Sequence, residues 1–160
     1  MGLKKPLVIT SGQIQQLQAG DTLDAVCAEV DVVVSTNANV GAVVIGTSVY
    51  PSAAGAVDKA QADAVGTVEV LGLVQATSIA ASESGNIQTD GILAATTGQW
   101  DAVAGTTGGL TAGTVYYLDP DTAGKITATA PTTAGDFVVR IGKAISTTEL
   151  EISISQPIKL

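Results

Sequence analysis

Short runs of β-branched and other apolar residues recur along the chain, and segments rich in glycine and proline separate them. The clearest run is residues 150–155, where apolar and polar residues alternate strictly, as in a strand with one buried face. Further runs lie at residues 7–10, 28–34, 40–50, 66–76, 85–93, 113–118 and 137–145. Strands at such short intervals predict an all-β fold, either a β-sandwich or a barrel-like sheet.

The two halves of the chain resemble each other. Five short motifs occur in the same order in both halves, at offsets of 67 to 73 residues. This internal repeat predicts two similar small β-modules, residues 11–80 and 81–160, preceded by an N-terminal arm of residues 1–10. The modules are expected either to form separate lobes or to pack as one compact unit. The matched motifs are residues 11–15 with 84–88, Gly46 with Gly113, 55–57 with 124–126, Gly66 with Gly135, and Gly72 with Gly142.

The repeat also decides between two interpretations of the alanine-rich residues 53–64. Helix propensity alone favours a helix in this segment. The corresponding part of the second half, residues 127–131, contains threonine and proline, which do not favour a helix. We therefore expect residues 53–64 to be extended or to form a loop. The glutamine-rich residues 13–18 fit either a loop or one turn of helix.

Composition indicates the kind of core and excludes some partners. Hydrophobic residues make up 46% of the 160 residues, but aromatic residues only 3%. A core of small side chains buries little area per residue, so oligomerisation is expected to add stability. Charged residues make up 14% of the chain and the net charge is −8. An acidic surface repels phosphate backbones, so we expect no nucleic-acid partner.

The sequence gives no sign of secretion or membrane insertion. No run of 18 uncharged apolar residues occurs, so no membrane span is expected. No basic segment precedes a long apolar run near the N-terminus, so no signal peptide is expected. We therefore expect the protein to be made in a cytoplasm and not to be secreted by a standard route.

The residue types of common catalytic and metal sites are scarce. The chain has no histidine and a single cysteine, Cys27. The commonest general base and metal ligand is therefore missing, and zinc or iron–sulfur sites are excluded in practice. We expect no enzyme activity, no catalytic residue, no metal and no cofactor, with Cys27 as a small buried apolar residue. A glycan hydrolase would need two convergent carboxylates, and no spacing indicates such a pair.

Two loop motifs allow a functional and a plain interpretation. Residues 119–124 share Asp119, Asp121 and Gly124 with part of a calcium-binding loop, but the bidentate glutamate at the twelfth position is missing. We favour a Pro-Asp turn between two strands. Residues 105–109 are rich in glycine, but no Lys-Ser or Lys-Thr pair follows them. They are therefore not a phosphate loop, and we interpret them as a flexible surface loop.

A series of turn and strand motifs runs through the second half, at residues 97–103, 109–113, 115–118, 124–127, 139–146 and 150–152. The series resembles structural proteins of tailed bacteriophages, namely head fibres, capsid decoration (cement) proteins and tail-fibre modules. Residues 5–9 and 16–21 also resemble the N-termini of phage fibre and decoration proteins. The resemblance implies a β-rich fold, symmetric assembly on a virion and no catalysis. It carries over no functional residue, because its motifs define a scaffold.

The resemblance leads to the hypothesis of a virion structural protein that binds the outer surface of the assembled phage capsid and stabilises it. The expected partners are the major capsid protein and further copies of the chain, as a homotrimer, without a membrane or nucleic acid. The expected location is the capsid surface of the virion, after assembly in the cytoplasm of the host bacterium. An arm that differs in charge from an acidic body makes four residues candidates for capsid contact, although a solvated tail is equally compatible with them: Lys4, Lys5, Pro6 and Leu7.

The alternative hypothesis is a tail-fibre or host-surface-binding module. Such a module exposes aromatic side chains and loops at one end, which makes Trp100 and Tyr116 candidate binding residues, together with Tyr117 and the glycine-rich loop of residues 105–109. Trp100 also fits a position in the core of the second module, and that interpretation is slightly favoured. The chain is short for a fibre and lacks a long coiled-coil or repeat shaft, which favours the decoration hypothesis.

Overall fold

A computed structural model describes residues 7–10, 13–16 and 31–160. Within these ranges the chain forms sixteen strands and one short helix, so the predicted all-β fold is confirmed. The first two strands, β1 (Leu7–Thr10) and β2 (Gln13–Gln16), form an antiparallel hairpin. The glutamine-rich segment for which the sequence favours a loop or helical turn is therefore partly strand.

The next part of the chain closes into a five-stranded barrel with the order β3-β6-β5-β7-β9. Most neighbours are antiparallel, but β3 and β6 close the barrel through only two parallel pairs, Thr36 with Ala56 and Asn37 with Val57. A two-stranded sheet of β4 and β8 lies beside it. The bounds are β3 Val32–Asn37, β4 Val43–Val44, β5 Ser48–Ala53, β6 Ala56–Lys59, β7 Gly72–Val74, β8 Ser78–Ile79 and β9 Ser84–Gln88.

The remainder forms a second five-stranded sheet, of order β10-β15-β14-β11-β12, and a small antiparallel pair of β13 and β16. Helix α1 (Thr97–Ala104) connects β10 to β11. The bounds are β10 Gly91–Ala94, β11 Val115–Leu118, β12 Ile126–Thr127, β13 Phe137–Val138, β14 Arg140–Ala144, β15 Glu149–Ile152 and β16 Ile158–Lys159.

The barrel and the second sheet have the same strand order. If β3, β5, β6, β7 and β9 are matched in turn with β10, β11, β12, β14 and β15, four of the five neighbour pairs of the barrel recur in the second sheet, and the closing pair of β3 with β6 has no counterpart there. Equivalent residues also form equivalent pairs: Val49 lies opposite Gly72, and Tyr116 lies opposite Gly142. Four of the five repeat matches agree with this correspondence. The match of residues 11–15 with 84–88 does not, because residues 84–88 form the last barrel strand.

One hydrophobic core joins the barrel to the second sheet. It contains barrel-side residues such as Leu73 together with Trp100 and Leu118 from the second half. Backbone hydrogen bonds also cross the junction, including Gly124 N to Ala60 O at 2.7 Å and Phe137 N to Ala62 O at 2.8 Å. The two sheets therefore pack as one unit, and the change from one sheet to the next falls at the turn after β9. A smaller apolar cluster around Val49 and Ile87 fills the barrel interior.

The alanine-rich residues 53–64 contain the end of β5 and all of β6, and the rest forms turns and loop, so the prediction of an extended or loop segment is confirmed. Helix α1 is absent from the sequence prediction. It begins with a capping box, in which the Thr96 hydroxyl accepts from Gln99 N and the Gln99 side chain accepts from Thr96 N. Gly105 ends the helix with a φ of 62°, a left-handed conformation that glycine adopts readily. The Thr-x-x-Gln spacing is the signal that would have predicted it.

Candidate interaction surfaces

The two aromatic residues proposed as exposed anchors are buried, so that prediction was wrong. Trp100 and Tyr116 are both 0% exposed. Trp100 Nε1 donates a hydrogen bond to Thr148 O at 3.0 Å, and the Tyr116 hydroxyl accepts one from Thr111 N at 3.1 Å. Both side chains lie on the inner faces of α1 and β11, where a core poor in aromatic residues depends on their volume. The alternative core interpretation of Trp100 is confirmed.

The glycine-rich loop after α1 is held by one carboxylate. Asp101 accepts hydrogen bonds from Gly109 N at 2.8 Å, Gly108 N at 3.0 Å and the Thr106 hydroxyl at 2.9 Å. These bonds, led by the one from Gly109, lower the pKa of Asp101 and outweigh the partial desolvation that raises it. The loop is thus anchored through Asp101, which differs from the predicted freely flexible loop.

Residues 119–124 form the predicted turn between two strands, here β11 and β12. Asp119 Oδ1 accepts from Asp121 N at 2.7 Å and from Thr122 N at 2.9 Å. Its carboxylate therefore stabilises the turn itself. Beside the turn lies a depression of about 220 Å³, whose lining includes Asp119, Asp121 and Asp136.

A larger open cleft lies between the barrel and the C-terminal residues. Its volume is about 500 Å³. Three carboxylates lie along it on the barrel side, those of Asp31, Glu69 and Asp90, and all three residues are exposed. The opposite wall is formed by residues 152–156. This surface, called the acidic cleft below, favours a partner that carries positive charge.

Strand β3 continues from the acidic cleft and presents an unusual apolar edge. Val32, Val33 and Val34, the first three residues of this barrel strand, are exposed by 38%, 42% and 66%. The reason is geometric: β6 pairs with β3 only at Thr36 and Asn37, because the β5–β6 hairpin turns back at Gly55. Among the described residues, β9 is therefore the only strand paired with residues 32–34. We call this surface the β3 edge.

The predicted capsid contacts Lys4, Lys5 and Pro6 lie outside the described residues. Leu7 is the first residue of β1, and its side chain is not described. The sequence pattern did not indicate the β3 edge. Three consecutive valines are the signal that could have indicated this edge. A strand with one buried face alternates apolar and polar positions, so a run of three valines places an apolar side chain on the other face as well.

Over the described ranges, no group of three or more His, Cys, Asp and Glu side chains is arranged to hold a metal ion. Their one helix, α1, has eight residues and is too short to cross a membrane. No protein-family model matches the chain. A search of curated proteins also finds no match.

Proposed function

We propose that this protein is a virion structural protein that binds the outer surface of an assembled phage capsid and stabilises it. The observation that carries the proposal is the pair of sheets with one strand order, joined by one core. Such a chain is a rigid body with two similar faces, suited to contacting repeated positions on a lattice. The resemblance of residues 97–152 to decoration and head-fibre proteins favours a phage capsid as this lattice.

The proposed mechanism is bridging between capsid subunits. Each contact between a decoration protein and a capsid subunit is weak by itself, but several linked contacts on one rigid body give strong overall binding. A homotrimer of chains with two similar modules presents six similar units, which matches a threefold or quasi-sixfold position. The major capsid protein and further copies of this chain are the proposed partners.

A non-catalytic role is part of the proposal. The chain lacks histidine, and seven of the twelve acidic residues in the described ranges are exposed. Asp101 and Asp119 accept hydrogen bonds from their own loops and therefore position backbone. The burial of Trp100 and Tyr116 removes two of the three aromatic residues on which a host-surface-binding module was expected to depend, and the third, Tyr117, is half-buried.

Co-sedimentation with phage heads that lack this protein tests the proposal. Saturable binding, with higher resistance of the heads to heat or to chelators, is the expected result. Deletion of residues 2–6 removes Lys4, Lys5 and Pro6 but keeps β1, so it tests the arm, and sedimentation velocity of the deleted protein shows whether its assembly is unchanged. Absence of head binding at saturating concentration, or binding to tails or host cells instead, would overturn the proposal.

A charge-reversed variant gives a sharper test of the arm. Lys4→Glu with Lys5→Glu is expected to weaken head binding, since both lysines lie in the proposed contact. The matched control is Lys143→Glu with Lys159→Glu, which makes the same change in charge at two exposed lysines of the second sheet and β16. Equal loss of binding in both variants would show a general effect of charge and would contradict the role of the arm.

A further inference from the structure

The β3 edge offers main-chain hydrogen bonds as well as apolar side chains. Thr36 N donates to Gly55 O, whereas Asn37 N donates to Glu83 O on the other side of the strand. Because N–H groups alternate along a strand, those of Val32 and Val34 point to the same side as that of Thr36. That side has no paired strand at residues 32–34 within the described part of the chain. The edge is thus a template for one added strand.

The β1–β2 hairpin also lacks a further strand neighbour among the described residues. Its two strands form a separate two-stranded sheet and hydrogen-bond to no other described strand. A two-stranded hairpin is marginally stable in water and needs a further strand or a packing surface. Its sequence is suited to such a surface, because β1 contains Leu7, Val8 and Ile9 in succession.

Charge favours the same pairing. Residues 1–16 contain two lysines and no acidic residue. Asp31 directly precedes the β3 edge, and it lines the acidic cleft together with Glu69 and Asp90. The hairpin itself is uncharged, but Lys4 and Lys5 precede it directly, so this part of the chain is attracted to an acidic surface more than to a neutral one.

We propose that the β1–β2 hairpin of one copy adds to the β3 edge of a second copy. The inference rests on the self-association in the proposed function and is independent of contact with a capsid. Among the described residues of one chain, neither the hairpin nor the open side of residues 32–34 has a further strand neighbour, and exchange between copies supplies one to each. Pairing of β3 with β3 of another copy would cover the edge but leave the hairpin isolated.

The chain is long enough for this exchange. Residues 17–30 connect the hairpin to Asp31, and at roughly 3.5 Å per residue they can span up to about 50 Å. The contact is heterologous, because the donating hairpin and the accepting edge are different surfaces. Repetition of such a contact around an axis closes into a ring, and a threefold ring gives the proposed trimer.

Cross-linking of mixed single-cysteine proteins tests the exchange in the full-length chain. Every protein carries Cys27→Ser, one adds Ile9→Cys and the other adds Val34→Cys. A short bismaleimide, which tolerates a one-residue uncertainty in register, joins them, and mass spectrometry identifies the products. The expected major product links Ile9→Cys of one copy to Val34→Cys of another. The control acceptor is Val40→Cys, at a valine that is 99% exposed and therefore at least as accessible.

A chain carrying both cysteines distinguishes exchange from folding back. Links between chains support the proposal. A dominant link within one chain overturns it, as does a dominant Val34-to-Val34 product or a yield no higher than that of the Val40 control. These experiments use no phage heads. A positive cross-link without head binding would therefore uphold the inference and reject the proposed function, and the reverse result would do the opposite.

Charge at the edge gives a second readout. Val34→Lys introduces a charged residue, which opposes strand addition, at a position that is already 66% exposed. Sedimentation velocity is expected to show loss of the oligomer for Val34→Lys and an unchanged oligomer for Val40→Lys. An unchanged oligomer in Val34→Lys would contradict the proposal.

Discussion

Gly142 occupies the middle of β14, where the backbone of β15 leaves no room for a side chain. A Cβ atom at this position would lie 2.2 Å from Glu151 O, whereas real Cβ contacts essentially never fall below 3.0 Å. The carbonyl would have to move by about 0.8 Å, the difference between these two distances. Gly72, the equivalent residue in β7, has the same restriction, with its added Cβ 2.3 Å from Gln88 O.

Gly142→Ala and Gly72→Ala are both expected to lower the free energy of unfolding by about 2 kcal/mol. Forcing a methyl group into a packed region costs roughly 1–3 kcal/mol, and the lower entropy of the unfolded alanine chain offsets up to about 1 kcal/mol. For a chain of this size, a loss of about 2 kcal/mol lowers the Tm by roughly 4–8 °C. Neither glycine has a positive φ, so steric overlap is the cause.

Urea denaturation followed by tryptophan fluorescence measures the effect, because Trp100 is the single tryptophan and is fully buried. Gly66→Ala is the matched control: no atom lies within 4 Å of its added Cβ, and its φ is not positive. The control should be neutral or slightly stabilised. A change below about 0.5 kcal/mol in both Gly72→Ala and Gly142→Ala, within the range of ordinary surface substitutions, would refute the steric argument. Loss in only one of them would refute the structural equivalence of the two sheets.

Two other substitutions test polar interactions. Asn37→Ala removes a fully buried amide that bonds four backbone groups, and calorimetry should show a loss of about 3 kcal/mol, whereas the exposed Asn86→Ala should change little. Asp101→Asn should speed hydrogen exchange at Gly109 N at pH 7, whereas Asp121→Asn should not, because Asp101 accepts the bond from that amide. Because the pKa of Asp101 is lowered, the contribution of its carboxylate to stability is present above the unfolded pKa of about 4 and is lost as the pH falls through the folded value. Equal exchange of Gly109 N in the wild type and in Asp101→Asn at pH 7 would contradict the anchoring role.

The sequence was sufficient for the fold class and much of the repeat. The strict alternation at residues 150–155 predicted β15, and the match of Gly72 with Gly142 identified two residues that face equivalent partners. The alternation is a local pattern that follows from the geometry of a strand. The two glycines are visible in the sequence because only glycine fits the steric limit at these positions.

The surfaces were harder to predict, because exposure depends on tertiary packing. Trp100 is next to a glycine-rich loop in sequence, but α1 turns its side chain inward. The β3 edge exists because the β5–β6 hairpin turns at Gly55, before it reaches residues 32–34. The sequence of residues 32–34 does not indicate where the β5–β6 hairpin turns. The virion role, the trimer and the arm contacts remain predictions.

Electron cryomicroscopy of phage heads, before and after saturation with the purified protein, tests the central proposal most directly. The proposal predicts added density on the outer surface of the head, repeated at threefold or quasi-sixfold positions, into which the barrel and the second sheet fit as one body. Heads with an unchanged outer surface at saturation, or added density confined to the tail, would contradict it.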